Sequence, residues 1–161
     1  MFPSKISVEL ARHYPHLSDE QLALAIQGLR QYFQLCNLAG PNMVSMPSRV
    51  VDVAWHEFIL LTRPYEKFCT YALGGFLHHT PATEIKSPEA ITEGLKIAWL
   101  HACRWEEIDQ KSPSRLPFLF AMDTALAIPD GFTHSLNNDY ASDDSGGCGS
   151  GGCGGGCGGG G

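Results

Sequence analysis

The stretch from Arg49 to Leu61, RVVDVAWHEFILL, constrains the fold more than any other part of the chain. Apolar side chains cover nearly the whole circumference of a helix drawn through it, and such a helix is normally buried. Three of its polar residues, Arg49, Asp52 and His56, lie with the following Arg63 in one narrow stripe of the helix face. Because burying an unpaired charge or imidazole is costly, we expect this stripe to face an enclosed cleft or a satisfied polar network.

Apolar residues recur at steps of three and four in most of the chain, which is typical of amphipathic helices. The pattern predicts helices over Lys5–His13, after the N-capping Ser18, from Ser87-Pro88 to about Ile108, and over Leu116–Leu126. No sustained alternation of apolar and polar residues indicates a strand. The sequence therefore predicts an all-α fold, an irregular or orthogonal bundle of five to six helices.

Proline at position 64 predicts an interruption after the Arg49–Leu61 helix. Since proline disfavours helical geometry in the residue before it, we expect the break at Arg63. A second short helix should follow over Tyr65–Leu73 and end at Gly74.

The C-terminal end of the chain cannot contribute to a packed core. Of the 18 glycines in the 161 residues, 12 lie between Gly146 and Gly161. Glycine has maximal conformational entropy and no side chain to bury. We therefore predict a helical domain over residues 1–132, and a disordered linker with a Gly/Cys-rich tail over residues 133–161.

The net charge argues against two classes of partner, and the absence of long apolar runs indicates the cellular compartment. The formal net charge is -6, the pI is about 5.5, and no cluster of lysine or arginine is present. We expect no binding to nucleic acid or to a membrane. No apolar run has the length of a signal-peptide core or a membrane span, so we expect a cytoplasmic protein whose six cysteines are thiols.

Histidine, cysteine and carboxylate converge only in the region from Asp52 to His79. We name His56, Cys69, His78 and His79 as candidate metal ligands and Asp52 as a carboxylate that orients the His56 ring. Zinc is the ion that this donor set favours. The spacing is irregular, so a purely structural network is the alternative, with Cys69 as a small buried apolar residue.

Motifs for catalysis are absent from the sequence. His56-Glu57 resembles the start of the zinc-protease HExxH helix, but Leu60 stands where the second histidine would be. Neither a GxSxG elbow nor a phosphate-binding glycine loop occurs. The leading interpretation is a non-catalytic binding or interaction module with a protein partner, and a metal-dependent hydrolase is an alternative.

Three tail cysteines, Cys148, Cys153 and Cys157, are not explained by flexibility alone. Thiolates on a flexible backbone can bind a soft metal ion, although the ordering cost weakens such binding. They can equally be substrates of a modifying enzyme. If they are modified, the protein is a ribosomally made precursor whose folded domain presents the tail cysteines to the modifying enzyme. The composition of the tail resembles that of microcin-type precursors. A passive tail is the third interpretation.

The segment from Trp55 to Pro81, WHEFILLTRPYEKFCTYALGGFLHHTP, resembles a signature of bacterial glycine-rich domain-containing proteins and, more loosely, of plant glycine-rich domain proteins. The matching positions are Asp52, Trp55, His56, Tyr65, Cys69, Gly74 and His78 or His79, and downstream Leu116-Pro117, Phe120, Asp123 and Ile128–Gly131. This resemblance implies no particular activity. Plant versions often carry a histidine where this chain has Phe58, so a metal role that needs that imidazole does not carry over.

Overall fold

A computed structural model describes residues 2–80 and 87–137 of the chain. Within these ranges it contains helices α1 (Ser4–His13), α2 (Asp19–Ala39), α3 (Arg49–Leu60), α4 (Thr62–Phe68), α5 (Pro88–Trp105) and α6 (Phe118–Ala125), and a π-helical turn over Cys69–Leu73. The described ranges include no strand, which confirms the predicted all-α fold. Of the segment predicted to be disordered, residues 133–137 are described, and His134 Nε2 lies 2.7 Å from the carbonyl of Pro47; the rest, with its three cysteines, lies outside these ranges.

Helix α2 lies at the centre of the bundle and packs against α1, α3, α5 and α6. Its start is set by a reciprocal capping box. The Ser18 hydroxyl accepts from the backbone N–H of Gln21 at 3.3 Å, and the Gln21 side chain accepts from the Ser18 N–H at 2.9 Å. These bonds satisfy N–H groups that the first turn of a helix leaves without partners. Neither this helix nor any other described one is long and apolar enough to cross a membrane.

The start of α3 is held by a carboxylate from another helix. Asp123 on α6 accepts hydrogen bonds from the Ser48 hydroxyl at 2.7 Å and from the backbone N–H groups of Arg49 at 2.6 Å and Val50 at 3.2 Å. It also accepts from the Phe132 N–H at 2.8 Å. A single buried side chain thus joins α3, α6 and the segment that follows α6.

The predicted break at Arg63 is wrong by two residues. Helix α3 ends at Leu60, Leu61 has non-helical dihedral angles, and α4 begins at Thr62. Pro64 is accepted in α4 because it lies in the first turn, where a backbone N–H would have no helical partner. The π turn then ends at Gly74, which has a φ of 73° and forms a left-handed cap as predicted.

Helix α3 is less enclosed than its composition predicts. Val50, Val51, Ala54, Trp55 and Phe58 are buried, but Leu60 at its end is exposed. Its apolar face meets an aromatic cluster formed by Phe2, Tyr32, Phe33, Phe58, Tyr65 and Phe68. The opposite face, with the polar stripe, lines a cleft.

A loop between α2 and α3 forms one side of that cleft and docks on α5. The Ser45 N–H donates to the carbonyl of Gly94 at 3.1 Å, and its hydroxyl donates to the carbonyl of Ile91 at 2.9 Å. A Cβ atom on Gly94 would lie 2.2 Å from the Ser45 hydroxyl, so only glycine permits this approach. Helix α5 ends at Trp105, before the predicted Ile108, because Glu107 adopts a φ of 55°.

Candidate metal centre

Three of the residues singled out in the sequence come together, Asp52 and His56 on α3 and His79 in the loop before α5. His79 Nε2 lies 2.9 Å from Asp52 Oδ1, and His56 Nδ1 lies 3.6 Å from Asp52 Oδ2. The two imidazole rings are 4.2 Å apart between centroids. One donor atom from each side chain lies within 4.8 Å of the other two. Ligands of a tetrahedral zinc ion lie about 3.4 Å apart, so a modest contraction would bring all three into contact with one ion.

Local helix geometry accounts for the first two members of this group. Asp52 and His56 are four residues apart on α3, which places their side chains on the same face one turn apart. No tertiary contact is needed to bring them together, and the pairing was predicted.

His79 is placed by two buried side chains. The Tyr65 hydroxyl accepts from Trp55 Nε1 at 3.0 Å and donates to the carbonyl of Leu77 at 2.5 Å, which ties the loop to α3 and α4. The His79 ring then packs edge-on against Trp55, with centroids 4.5 Å apart. Burial raises the pKa of Tyr65; its bond from Trp55 acts in the opposite direction, and the neighbouring Cys69 adds to the increase. Tyr65 therefore stays neutral and able to donate.

The prediction that the His56 imidazole lies inside the protein is wrong. Its side chain is 47% exposed, compared with 16% for Asp52 and 11% for His79. The polar stripe of α3 faces an open cleft, so the ring has solvent on one side. The loop that carries His79 packs against the other side of the ring, with the imidazole centroids 4.2 Å apart.

Cys69 and His78 lie outside the group of converging donor atoms. Cys69 is fully buried in the π turn, and its neighbour is the Tyr65 hydroxyl. His78 is exposed and packs against Phe76, with ring centroids 4.9 Å apart, although it lines the same cleft. We expected Asp52 to orient the His56 ring without being a candidate ligand itself. Its carboxylate instead belongs to the group of converging donor atoms.

The cleft beside these three residues has a volume of about 880 Å³, within the range of small-molecule sites. It is bounded by the loop before α3, by α3, by Leu77–Thr80, by α5 and by Gly131–His134. Sequence reasoning missed the last of these walls. The available signal was the turn over Ile128–Gly131, but nothing in the sequence tied it to Asp123 or to α3.

Two further polar groups line the cleft. Arg49 lies one turn before Asp52, with Nη1 4.0 Å from Asp52 Oδ2 and a side chain that is 48% exposed. Cys36 on α2 is partly buried, and desolvation raises the pKa of its thiol to about 11, opposed by a hydrogen bond with Tyr32. The thiol is thus neutral near pH 7, whereas the guanidinium is charged.

Comparison with known proteins places the whole described domain in one family. The chain matches the UCP032817-like family over residues 1–156. It belongs to that family. No curated protein and no solved structure matches it. The UCP032817-like match carries no reaction or ligand, and it establishes no link to the glycine-rich domain proteins.

In this UCP032817-like chain the donor set itself limits the chemistry. Two imidazoles and one carboxylate suit a divalent transition metal such as zinc or iron(II), whereas magnesium and calcium prefer oxygen ligands alone. Catalytic and ligand-binding metal sites commonly have three protein ligands and an open position. Among the described residues, Asp52, His56 and His79 are three candidate ligands on the wall of a cleft with room for a further ligand.

Proposed function

We propose that this domain is a metal-dependent binding module, in which Asp52, His56 and His79 hold one divalent transition metal ion, zinc in the first instance. The observation that carries the proposal is the approach of these three donor groups within 4.8 Å on the wall of a cleft. Two come from one helix and the third from a loop 27 residues away. Packing of Leu77 and of His79 on Trp55 holds the loop against α3, but the His56 ring is half exposed, so burial does not account for its position beside His79.

The electrostatics of the group support a bound cation. Asp52 supplies one negative charge beside two neutral donors, and it offsets part of the charge of a divalent ion. Its side chain and that of His79 are largely shielded from water, which strengthens the attraction to the ion. Arg49, the nearest positive group, has its Nη1 4.0 Å from the Asp52 carboxylate and enough exposure to move aside.

We propose binding rather than hydrolysis because the cleft offers a poor general base. Among the described residues that line it, Asp52 is the only carboxylate, and metal coordination would occupy it. A hydrolase needs a second basic group within hydrogen-bonding distance of the metal-bound water. Two further imidazoles border the cleft. His78 is exposed and packed against Phe76, and His134 donates from Nε2 to the carbonyl of Pro47 at 2.7 Å, so neither lies in the donor group.

We also propose that the similarity to glycine-rich domain proteins reflects a shared site. Support comes from where the matching positions lie. Asp52, His56 and His79 form the donor group, and Trp55 and Tyr65 hold the His79 loop in place. Positions that matter for this site are thus concentrated in the shared signature.

The experiment is zinc binding by the full chain, with Cys148, Cys153 and Cys157 replaced by serine so that the tail thiols cannot contribute. Elemental analysis after dialysis and calorimetric titration at neutral pH measure stoichiometry and affinity. We expect one equivalent of zinc and a loss of affinity of at least about 100-fold in His79→Ala and in Asp52→Ala.

His78→Ala is the matched control, because it removes the adjacent imidazole, which lies outside the donor group. Its affinity for zinc should stay within about threefold of the parent chain. The proposal is rejected if no stoichiometric zinc is bound, or if His78→Ala and His79→Ala lose affinity equally.

A further inference from the structure

We infer that the cleft takes a small organic carboxylate with an apolar body, whose carboxylate binds at the open position of the metal and to Arg49. This inference rests on the proposed metal site and adds the class of ligand. Its basis is the combination of charge at one end of the cleft with exposed apolar side chains along the rest.

The charge at the metal end favours an anion. A divalent ion and Arg49 together carry three positive charges, and Asp52 supplies the only negative side chain among the described residues of the lining. The guanidinium lies 4.0 Å from Asp52, too far for a direct hydrogen bond, and its side chain is 48% exposed. Its planar fork of N–H donors therefore remains available, and that geometry matches a carboxylate.

Away from the donor group the lining is mainly apolar, with Asn42, Ser45, Thr133 and His134 as polar members. The cleft is lined there by Met43, Val44, Met46, Leu77, Ile91, Leu95 and Phe132. Phe132 is 40% exposed and Met43 is 43% exposed, so both present apolar surface to water at this cleft. An apolar body seated between these walls would remove such surface from water.

The same lining argues against other anions. Arg49 is the only lysine or arginine among the described residues that border the cleft. A phosphate ester or a nucleotide carries more negative charge than one guanidinium can pair, and its sites usually add lysines or the backbone N–H groups of a helix start. A monocarboxylate needs only the metal and one arginine.

The test uses the full chain loaded with cobalt(II), with the three tail cysteines replaced by serine, because the visible spectrum of cobalt(II) reports changes in its ligands. The probe is 4-phenylbutanoate. Acetate keeps the charge without the apolar body, and 4-phenylbutanamide keeps the body without the charge. We expect saturable spectral changes with 4-phenylbutanoate, at an affinity at least about tenfold above that for acetate and for the amide.

Two variants separate the two ends of the site. Arg49→Ala should weaken 4-phenylbutanoate binding by about tenfold, since it removes a charge-assisted contact, while the cobalt content stays at one equivalent. Phe132→Ala should weaken 4-phenylbutanoate but leave acetate binding unchanged. Arg63→Ala is the control, because Arg63 is an exposed arginine of α4 that does not border the cleft.

The possible failures are distinguishable. A chain that binds no stoichiometric cobalt or zinc overturns the metal site and this inference together. A chain that binds cobalt, but whose spectrum does not respond to 4-phenylbutanoate, overturns the ligand class alone. Equal affinities for the three probes, or an Arg49→Ala variant that binds like Arg63→Ala, would also overturn it.

Discussion

Replacing Asp123 with alanine should strongly destabilise the domain, because this one carboxylate serves three separate parts of the chain. It accepts from the Ser48 hydroxyl and from the N–H groups of Arg49, Val50 and Phe132, at 2.6 to 3.2 Å. The side chain is only 3% exposed. Removal would leave several donors without partners in an environment that water reaches poorly.

The size of the effect follows from which donors are buried. The bonds from Ser48 and Val50 are buried, whereas those from Arg49 and Phe132 are partly accessible to water. Each buried donor left unpaired costs about 1–3 kcal/mol. Loss of the negative charge at the start of α3 adds up to about 1 kcal/mol, since it faces the positive end of the helix dipole. Removing the cost of burying a carboxylate offsets part of this sum.

We therefore expect Asp123→Ala to lower the free energy of unfolding by about 4 kcal/mol, a large part of the total for a domain of this size. The assay is urea denaturation followed by circular dichroism and tryptophan fluorescence. Asp123→Asn should cost less, because its amide oxygen can still accept from Ser48 and Val50, the two buried donors, whereas its amide nitrogen cannot accept from Arg49 and Phe132.

Asp109 provides the matched control. It accepts from the backbone N–H groups of Lys111 and Ser112 at 2.8 and 3.2 Å, but it lies in an exposed loop. Asp109→Ala should cost less than about 1 kcal/mol, since water can replace the lost bonds. If Asp123→Ala costs no more than this control, the capping of α3 from α6 does not stabilise the fold.

Two further predictions concern the surroundings of the candidate metal centre. Tyr65→Phe removes the hydroxyl that donates to the Leu77 carbonyl. We expect zinc binding to weaken by about tenfold and the free energy of unfolding to fall by about 1–3 kcal/mol. A zinc affinity within about twofold of the parent chain would refute the role of this bond. Burial raises the pKa of Cys36 to about 11, so its alkylation by iodoacetamide in the folded chain, measured by site-resolved mass spectrometry, should rise about tenfold per pH unit up to that pKa. A rate that levels off near pH 9 would contradict the raised pKa.

The cores and starts of most helices could be predicted because they depend on neighbours in sequence. Ser18 caps α2 through Gln21, three residues away, and Ser87 accepts from the N–H of Ala90 at the start of α5 in the same way. Asp52 and His56 are four residues apart on α3, so helix geometry alone brings their side chains together. Each of these features needs only the backbone preferences of a short segment.

The choice between His78 and His79 could not be made from sequence. Both residues lie in a loop without repeating geometry, and either could point towards α3. Only the hydrogen bond from Tyr65 to Leu77 and the packing of His79 on Trp55 set which imidazole joins Asp52. The burial of Cys69, by contrast, agrees with the alternative interpretation of the sequence, in which it is a small buried apolar residue.

The sequence by itself determined that this chain is helical, approximately where its helices begin, and that Asp52 and His56 share one face of α3. Tertiary structure alone decided that His79 completes the donor group, that Asp123 caps a helix 74 residues away in sequence at Arg49, and that Gly131–His134 form a wall of the cleft. The physical reason is the separation in sequence over which each interaction acts. Helix periodicity and capping act over one turn, whereas the site depends on hydrogen bonds and ring contacts that exist only once distant segments have packed together.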